Sequence, residues 1–192
     1  MTLSDRREMP AVYEPAEDSR LLAEAVEAVV GADELVLEVG VGSGFVAARV
    51  HEAAGARVVG TDINPAACAA ARAEGVESVR ADLMDPIAPA SVDVVLCNPP
   101  YLPTPPEREW DDPLEAALSG GEDGRRVVGP FLRDVGRVLR ADGRAYLLVS
   151  SLTGLEAVAD VAARAGLRTR EVAEESFPFE RLVVLEITTD NS

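Results

Sequence analysis

Apolar positions recur along the chain in two rhythms that trade places several times. Leu21, Leu22, Ala25, Val26 and Val29 share one face at helical spacing, and Pro15 with the acids Glu17 and Asp18 suits the N-terminus of that helix. The run Leu35-Val36-Leu37-Glu38-Val39 then stops at Gly40, which reads as a short strand, and a glycine-rich turn leads into a helical stretch over 45–54. The order repeats as a strand over 57–61, a helix over 65–74, a brief strand over 79–81 and a strand over 92–97. Beyond a long loop come a helix over 125–139, a strand over 145–150 and a helix over 155–165. The last apolar stretches, 168–174 and 182–187, predict two strands joined through 176–180 as an antiparallel hairpin at a sheet edge.

Strands alternating with helices, with near-continuous apolar strands, imply an α/β fold. The expected sheet is doubly wound, mainly parallel and seven-stranded, with helices on both faces and a C-terminal antiparallel hairpin. No internal repeat, low-complexity tract or linker divides the chain, so 1–192 is expected to form one domain, with 1–12 a flexible N-terminus and 188–192 a tail. In such sheets ligands sit beyond the carboxyl ends of the strands. That rule singles out Glu38-Val39-Gly40, Asp62, Asp82 and Asn98.

Composition narrows the class. At 192 residues and 47% apolar the chain can bury a proper core and is no acidic disordered tail. Cys68 and Cys97 lie far apart without a CxxC partner, which argues against a disulfide framework or structural zinc and for a reducing cytosol. The N-terminus has no apolar signal core and no run approaches the roughly 18 apolar residues of a membrane span, so a soluble, cytoplasmic protein is expected. The formal charge is −16, from 34 acidic against 18 basic residues, and every basic residue is Arg. Such a charge repels nucleic acid at ordinary ionic strength. An acid excess without Lys also resembles the surfaces of proteins from salt-rich, halophilic cytoplasm, where screening weakens that repulsion. A GC-rich genome that favours Arg codons gives the same deficit of Lys.

The sequence Glu38-Val39-Gly40-Val41-Gly42-Ser43-Gly44 sets three glycines at alternate positions after the first core strand. A turn without Cβ atoms lets the backbone approach a ligand, and the next helix offers unpaired N–H groups. A dinucleotide loop would place its third glycine one position later, and a P-loop needs a Lys that the chain lacks. About 20 residues on, Asp62 can accept both hydroxyls of a ribose, with Ile63 beside it. Asp82 can accept an adenine amino group, and Leu83 can cover the ring. One such Asp alone is as readily a cap or turn residue. Three strand ends in register describe a pocket for an uncharged adenosine.

The glycine turn, Asp62, Asp82 and the terminal hairpin resemble a class I, Rossmann-like methyltransferase that binds S-adenosylmethionine, and Asn98-Pro99-Pro100-Tyr101 resembles its amino-methylating NPPY signature. YEPAEDS at 13–19 and PLEAALSGGEDG at 113–124 are similar to the small HemK-like branch of the release-factor glutamine methyltransferases of archaea and eukaryotes. The likeness runs from 13 to about 187. It implies Glu38, Gly40, Gly42, Gly44, Asp62, Ile63, Asp82, Leu83, Asn98 and Ser19 around the cofactor. It implies catalysis by Asn98, Pro99 and Tyr101, with Pro100, Tyr13 and Glu17 on the substrate side. The implied substrate is a translation termination factor, methylated on the side-chain nitrogen of its Gly-Gly-Gln glutamine and leaving S-adenosylhomocysteine. The branch also implies a small zinc-binding activator subunit. The bacterial branch carries an extra N-terminal helical domain that has no room here.

An amide nitrogen has a delocalised lone pair and two hydrogens, so its methylation site should accept both hydrogens and orient the plane. Asn98 offers a side-chain carbonyl and Pro99 a backbone carbonyl held by a ring-restricted chain, while Tyr101 can lie on one face of the group. The same clamp suits an adenine or guanine amino group of RNA or DNA. A catalytically silent cofactor-binding partner is a third reading. The motif set, the acidic charge and the absence of a base-reading domain favour the protein glutamine. The loop over 103–124, with Trp110, is long enough to receive the substrate tip or to pack onto the sheet. His51 sits in the first crossover helix and Cys97 inside a strand, both structural places, whereas Val58-Val59 and Val79 belong to an edge that a partner can cover.

Overall fold

The computed structural model describes residues 12–105 and 118–190. Residues 1–11, Trp110 with most of the 103–124 loop, and 191–192 lie outside them. In order come α1 (Glu17–Glu27), β1 (Leu35–Val39), α2 (Phe45–Ala54), β2 (Arg57–Asp62), α3 (Pro65–Ala73), β3 (Glu77–Arg80), β4 (Val92–Cys97), α4 (Val128–Val138), β5 (Leu139–Ser150), α5 (Leu155–Arg164), β6 (Leu167–Phe177) and β7 (Glu180–Thr189). One seven-stranded sheet has the order β3-β2-β1-β4-β5-β7-β6. Strands β1 to β5 pair in parallel, and β7 slots antiparallel between β5 and β6.

The period-2 alternation of the strands divides the core into two layers, because successive side chains point to opposite faces and both faces are covered. Leu37, Val95, Leu147 and Leu185 meet Phe131, Leu132 and Val135 of α4 and Val158 of α5. Val36, Val94, Leu96 and Leu148 meet Leu22 and Val26 of α1 and Val46 and Val50 of α2. Val58 belongs to this second layer. Of the expected edge residues, then, Val79 on β3 is the exposed one, at 48%.

The elements differ from the sequence reading mainly at their ends. Strand β3 starts two residues before the expected 79, β5 begins at Leu139 directly after α4, and β7 pairs as far as Thr189, into the expected tail. The terminal hairpin is also tighter than its composition suggests. Phe177 pairs with Glu180, so the turn is Pro178-Phe179, and Phe179 sits there at φ +73 with its side chain 98% exposed. Turns with Pro at the first central position and a positive φ at the second call for Gly there. Phe179→Gly should therefore stabilise the fold by about 1 kcal/mol, the relieved left-handed strain less the added chain entropy of Gly. A urea midpoint that drops on this substitution would mean that the ring makes contacts worth more than the strain.

Candidate active site

Parallel register brings the strand ends level: Val39 lies opposite Thr61 on one side and Cys97 on the other, and Thr61 opposite Val79. The residues just past each strand are therefore gathered on one rim. After β1 the chain turns sharply, with the Gly40 and Val41 amides donating to the Thr61 carbonyl at 2.8 and 2.9 Å. The Asp62 carboxylate ties this turn to β2, taking the Gly42 N–H at 3.0 Å on one oxygen and the Asn64 N–H at 2.8 Å on the other. Each oxygen keeps a lone pair for hydroxyl donors. Gly44 has another duty: as the N-cap of α2 at φ +85 it lets that helix approach α3, since a Cβ there would meet the Ala71 Cα at 2.9 Å.

With glycine at the N-cap, α2 has no side-chain cap of its own, and Glu38 supplies one from β1 by accepting the Ala47 N–H at 2.8 Å. Glu38 is buried. Burial, with the nearby Asp62 charge, pushes its carboxyl up to about 8 against the pull of the Ala47 bond. Between the unfolded carboxylate value of about 4.3 and that value, the folded protein holds a proton that the unfolded chain has released. Stability from this group thus falls as pH rises through the window and levels off above it. Glu38→Gln keeps an acceptor for Ala47 and should remove the dependence. The difference in thermal midpoint, wild type minus variant, is expected to decline from about pH 5 to about pH 8, and parallel profiles would show that Glu38 does not carry it.

Past β4, Asn98-Pro99-Pro100-Tyr101 faces the first turn of α1. The Asn98 Nδ2 donates to Ser19 Oγ at 3.3 Å, and the Asn98 Oδ1 is shut off from solvent with no hydrogen-bond partner among the described residues. The Tyr101 hydroxyl donates to Asp18 Oδ2 at 3.5 Å, and its ring packs on the apolar layer of α1 and α2. Burial and the Asp18 charge push the Tyr101 phenol upward, and the same two causes push Tyr13 up to about 12. Cys97 is buried at the end of β4, and desolvation followed by the Glu38 charge raises its thiol, which disfavours the thiolate form. His51 lies at the far end of α2, with Nδ1 2.8 Å from the Ala56 carbonyl.

A cavity of about 300 Å³ opens among these elements. It brings together Tyr13, Ser19, Glu38, Gly40, Gly42, Asp62, Ile63, Asp82, Leu83, Asn98, Pro99 and Pro100. Gly44, Tyr101 and Glu17 do not line it; Glu17 is exposed on the outer face of the first helical turn. Phe45, Asn64 and Val127 line it without having been singled out from the sequence. Leu83, which lines the cavity, holds φ +46, left-handed backbone that a leucine adopts only under constraint. The acid Asp82, the spare lone pairs of Asp62, the apolar Ile63 and Leu83 and the Cβ-free turn make a wall that fits an adenosine-bearing cofactor. No helix among the described residues is long and apolar enough to cross a membrane.

Further residues support this site from outside the cavity. Asp18, an acid that by its place in the first turn can either face the substrate or meet the helix dipole, is 5% exposed in the fold and collects hydrogen bonds. The GGEDG stretch backs the NPPY loop: Gly120 N–H donates to the Leu102 carbonyl at 2.9 Å, Thr104 N–H to the Gly121 carbonyl at 2.9 Å, and a Cβ on Gly124 would stand 2.5 Å from the Tyr101 carbonyl oxygen. Paired motifs of glycines and prolines far apart in sequence were the only available signal.

Residues 36–118 match the family described as methyltransferase domain. The chain is 35% identical to a candidate protein N5-glutamine methyltransferase of Methanocaldococcus jannaschii, over 92% of this chain and 91% of that protein. It is 36% identical to the Homo sapiens methyltransferase HEMK2, over 92% and 89%. Among solved structures, the E. cuniculi Mtq2–Trm112 complex, described as responsible for methylation of the eRF1 translation termination factor, superposes with a TM-score of 0.77 at 30% identity, covering 94% of this chain and 99% of that one. With the seven-stranded sheet and the cavity at its strand ends, these likenesses establish that the chain belongs to the HemK-like glutamine methyltransferases, a branch of the class I S-adenosylmethionine-dependent methyltransferases.

Proposed function

We propose that this protein methylates the side-chain amide nitrogen, N5, of the glutamine in the Gly-Gly-Gln motif of a translation termination factor. The observation that carries the reading is the buried carbonyl Oδ1 of Asn98, a cavity-lining residue, which has no hydrogen-bond partner among the described residues. An unpaired buried acceptor costs about 1–3 kcal/mol until a donor arrives, and a primary amide brings two donors. When bound, S-adenosylmethionine supplies an electrophilic methyl group on a sulfonium. Asp62 would hold its ribose hydroxyls and Asp82 its adenine amino group, with Ile63 and Leu83 covering the ring and Gly40 and Gly42 letting the backbone come close. Ser19 and Glu38 stand along the remaining wall.

On the acceptor side, Asn98 Oδ1 and the Pro99 carbonyl take the two amide hydrogens, fixing the plane and allowing the nitrogen to pyramidalise. Pro100 stiffens the turn, and Tyr13 lines the approach. No strong base is required, because the proton leaves a nitrogen that has already become cationic. The Tyr101 ring steadies the clamp from behind it, from the apolar layer and its Asp18 bond, in place of the stacking role expected from the sequence. The described chain acts as one domain.

A small activator subunit, zinc-binding in this branch, covers the free edge of the sheet at β3, where Val79 is exposed beside the Arg57–Glu77 ion pair. The solved E. cuniculi relative is itself a two-protein complex. The test is transfer of labelled methyl, at low and molar salt, to termination factors carrying Gly-Gly-Gln or Gly-Gly-Ala, with and without the activator. Label confined to the Gln factor is expected. Label in RNA or DNA instead would move the acceptor to a nucleobase.

A further inference from the structure

We propose that Asp18, acting through Ser19, is a positioning residue that fixes which way round the Asn98 amide sits, and so keeps its carbonyl free to receive the substrate's N–H. The inference rests on the reading of this site as an amide methyltransferase.

Asp18 lies in the first turn of α1, where an acid ordinarily does no more than meet the helix dipole. Here it is buried, and its partners among the described residues are donors. Its Oδ1 accepts the Ser19 N–H at 2.6 Å and the Ser19 hydroxyl at 3.3 Å, and its Oδ2 accepts the Tyr101 hydroxyl at 3.5 Å. A carboxylate has no proton to return, so the Ser19 hydroxyl hydrogen is committed to Asp18. What Ser19 Oγ then offers Asn98 is a lone pair. The Asn98 amide must answer with its amino group, and Nδ2 is the atom found 3.3 Å from Ser19 Oγ.

An amide carries its amino and carbonyl groups at opposite ends of one plane. Turning Nδ2 toward Ser19 turns Oδ1 away, to the place where it has no partner among the described residues. The chain from Asp18 to Ser19 to Asn98 thus runs in one direction, and its last atom is an acceptor. If Asp18 stopped claiming the hydroxyl hydrogen, Ser19 would donate to Oδ1, the amide would reverse, and Nδ2 would confront the N–H groups of the incoming substrate donor against donor. Asp18 does not line the cavity, whereas Ser19, whose hydroxyl it holds, does.

The test compares Asp18→Asn, Ser19→Ala and the double variant by steady-state kinetics on the Gly-Gly-Gln factor, alongside cofactor titration and the side-chain 15N–1H signals of Asn98 in protein without substrate. Each single variant should lower kcat by about 100-fold, the scale of losing near-attack alignment, with KM for the factor changed much less. The double variant should be no worse than the weaker single, since the two residues act in series. Ser19→Thr, which keeps the hydroxyl, should recover most of the turnover lost in Ser19→Ala. The Asn98 amide signals should move alike in Asp18→Asn and Ser19→Ala and stay in place in Gly75→Ala, a substitution remote from the relay. Multiplying losses in the double variant, or Asn98 signals unmoved by Asp18→Asn, would overturn the proposal. The amide signals decide it even if wild type labels no Gly-Gly-Gln factor, an outcome that would instead remove the functional reading.

Discussion

Asn98→Ala should cut turnover on the Gly-Gly-Gln factor by about 10²- to 10³-fold while leaving cofactor affinity within a few-fold. That is the scale of deleting one preorganised hydrogen-bonding group aimed at a reacting centre. The position of the side chain sets this expectation. Its Nδ2 is engaged by Ser19, its Oδ1 has no described partner, and the adenosine-facing acids Asp62 and Asp82 come from other strand ends. Truncation removes the acceptor without touching those acids. It also relieves an unsatisfied buried carbonyl, so the folded state should lose little stability and can gain some. The discriminating measurement pairs kcat on the termination factor with calorimetric binding of S-adenosylhomocysteine. Equal loss of both would place Asn98 on the cofactor and take the clamp away from the acceptor.

What the sequence made legible was periodic or local. The alternation of strands and helices follows from apolar spacing, and the rim residues Glu38, Asp62, Asp82 and Asn98 follow from the rule that strand ends share one edge; all four line one cavity. Register was legible because Val39, Thr61 and Cys97 each end an apolar run. The parts that stayed hidden depend on partners remote in the chain. Asp18 looks like an ordinary first-turn acid until Tyr101, 83 positions away, donates to it. Gly44 belongs to a cofactor-type glycine turn by spacing, yet its missing Cβ serves the packing of α2 on α3, which no local pattern encodes. Val58 reads as an edge residue from its neighbourhood and is buried because α2 crosses over it.

Gly124→Ala should damage catalysis from outside the cavity, and the comparison with Gly75→Ala shows why. Both glycines have left-handed backbones, φ +74 and φ +84, so either substitution costs about 1–2 kcal/mol in strain alone. At Gly75 a new Cβ would meet nothing within 4 Å. At Gly124 it would stand 2.5 Å from the Tyr101 carbonyl oxygen, a backbone atom that no rotamer change can move. The two segments are pinned on either side of that contact: Leu102 N–H donates to the Leu118 carbonyl at 3.2 Å, Gly120 N–H to the Leu102 carbonyl at 2.9 Å, and Thr153 Oγ1 to the Tyr101 carbonyl at 3.4 Å. Relief therefore requires either the 118–124 segment to lift or the chain from Pro99 to Leu102 to shift, and the Pro99 carbonyl and Asn98 amide ride on that chain. A displacement on the order of 1 Å at a reacting group costs about 100-fold in rate. The expected result is a turnover loss of that size in Gly124→Ala with near-normal turnover in Gly75→Ala, although both unfold at lower urea. If the two variants lose stability equally and neither loses turnover, the GGEDG stretch does not buttress the NPPY loop, and the order of the acceptor clamp must come from α1 alone.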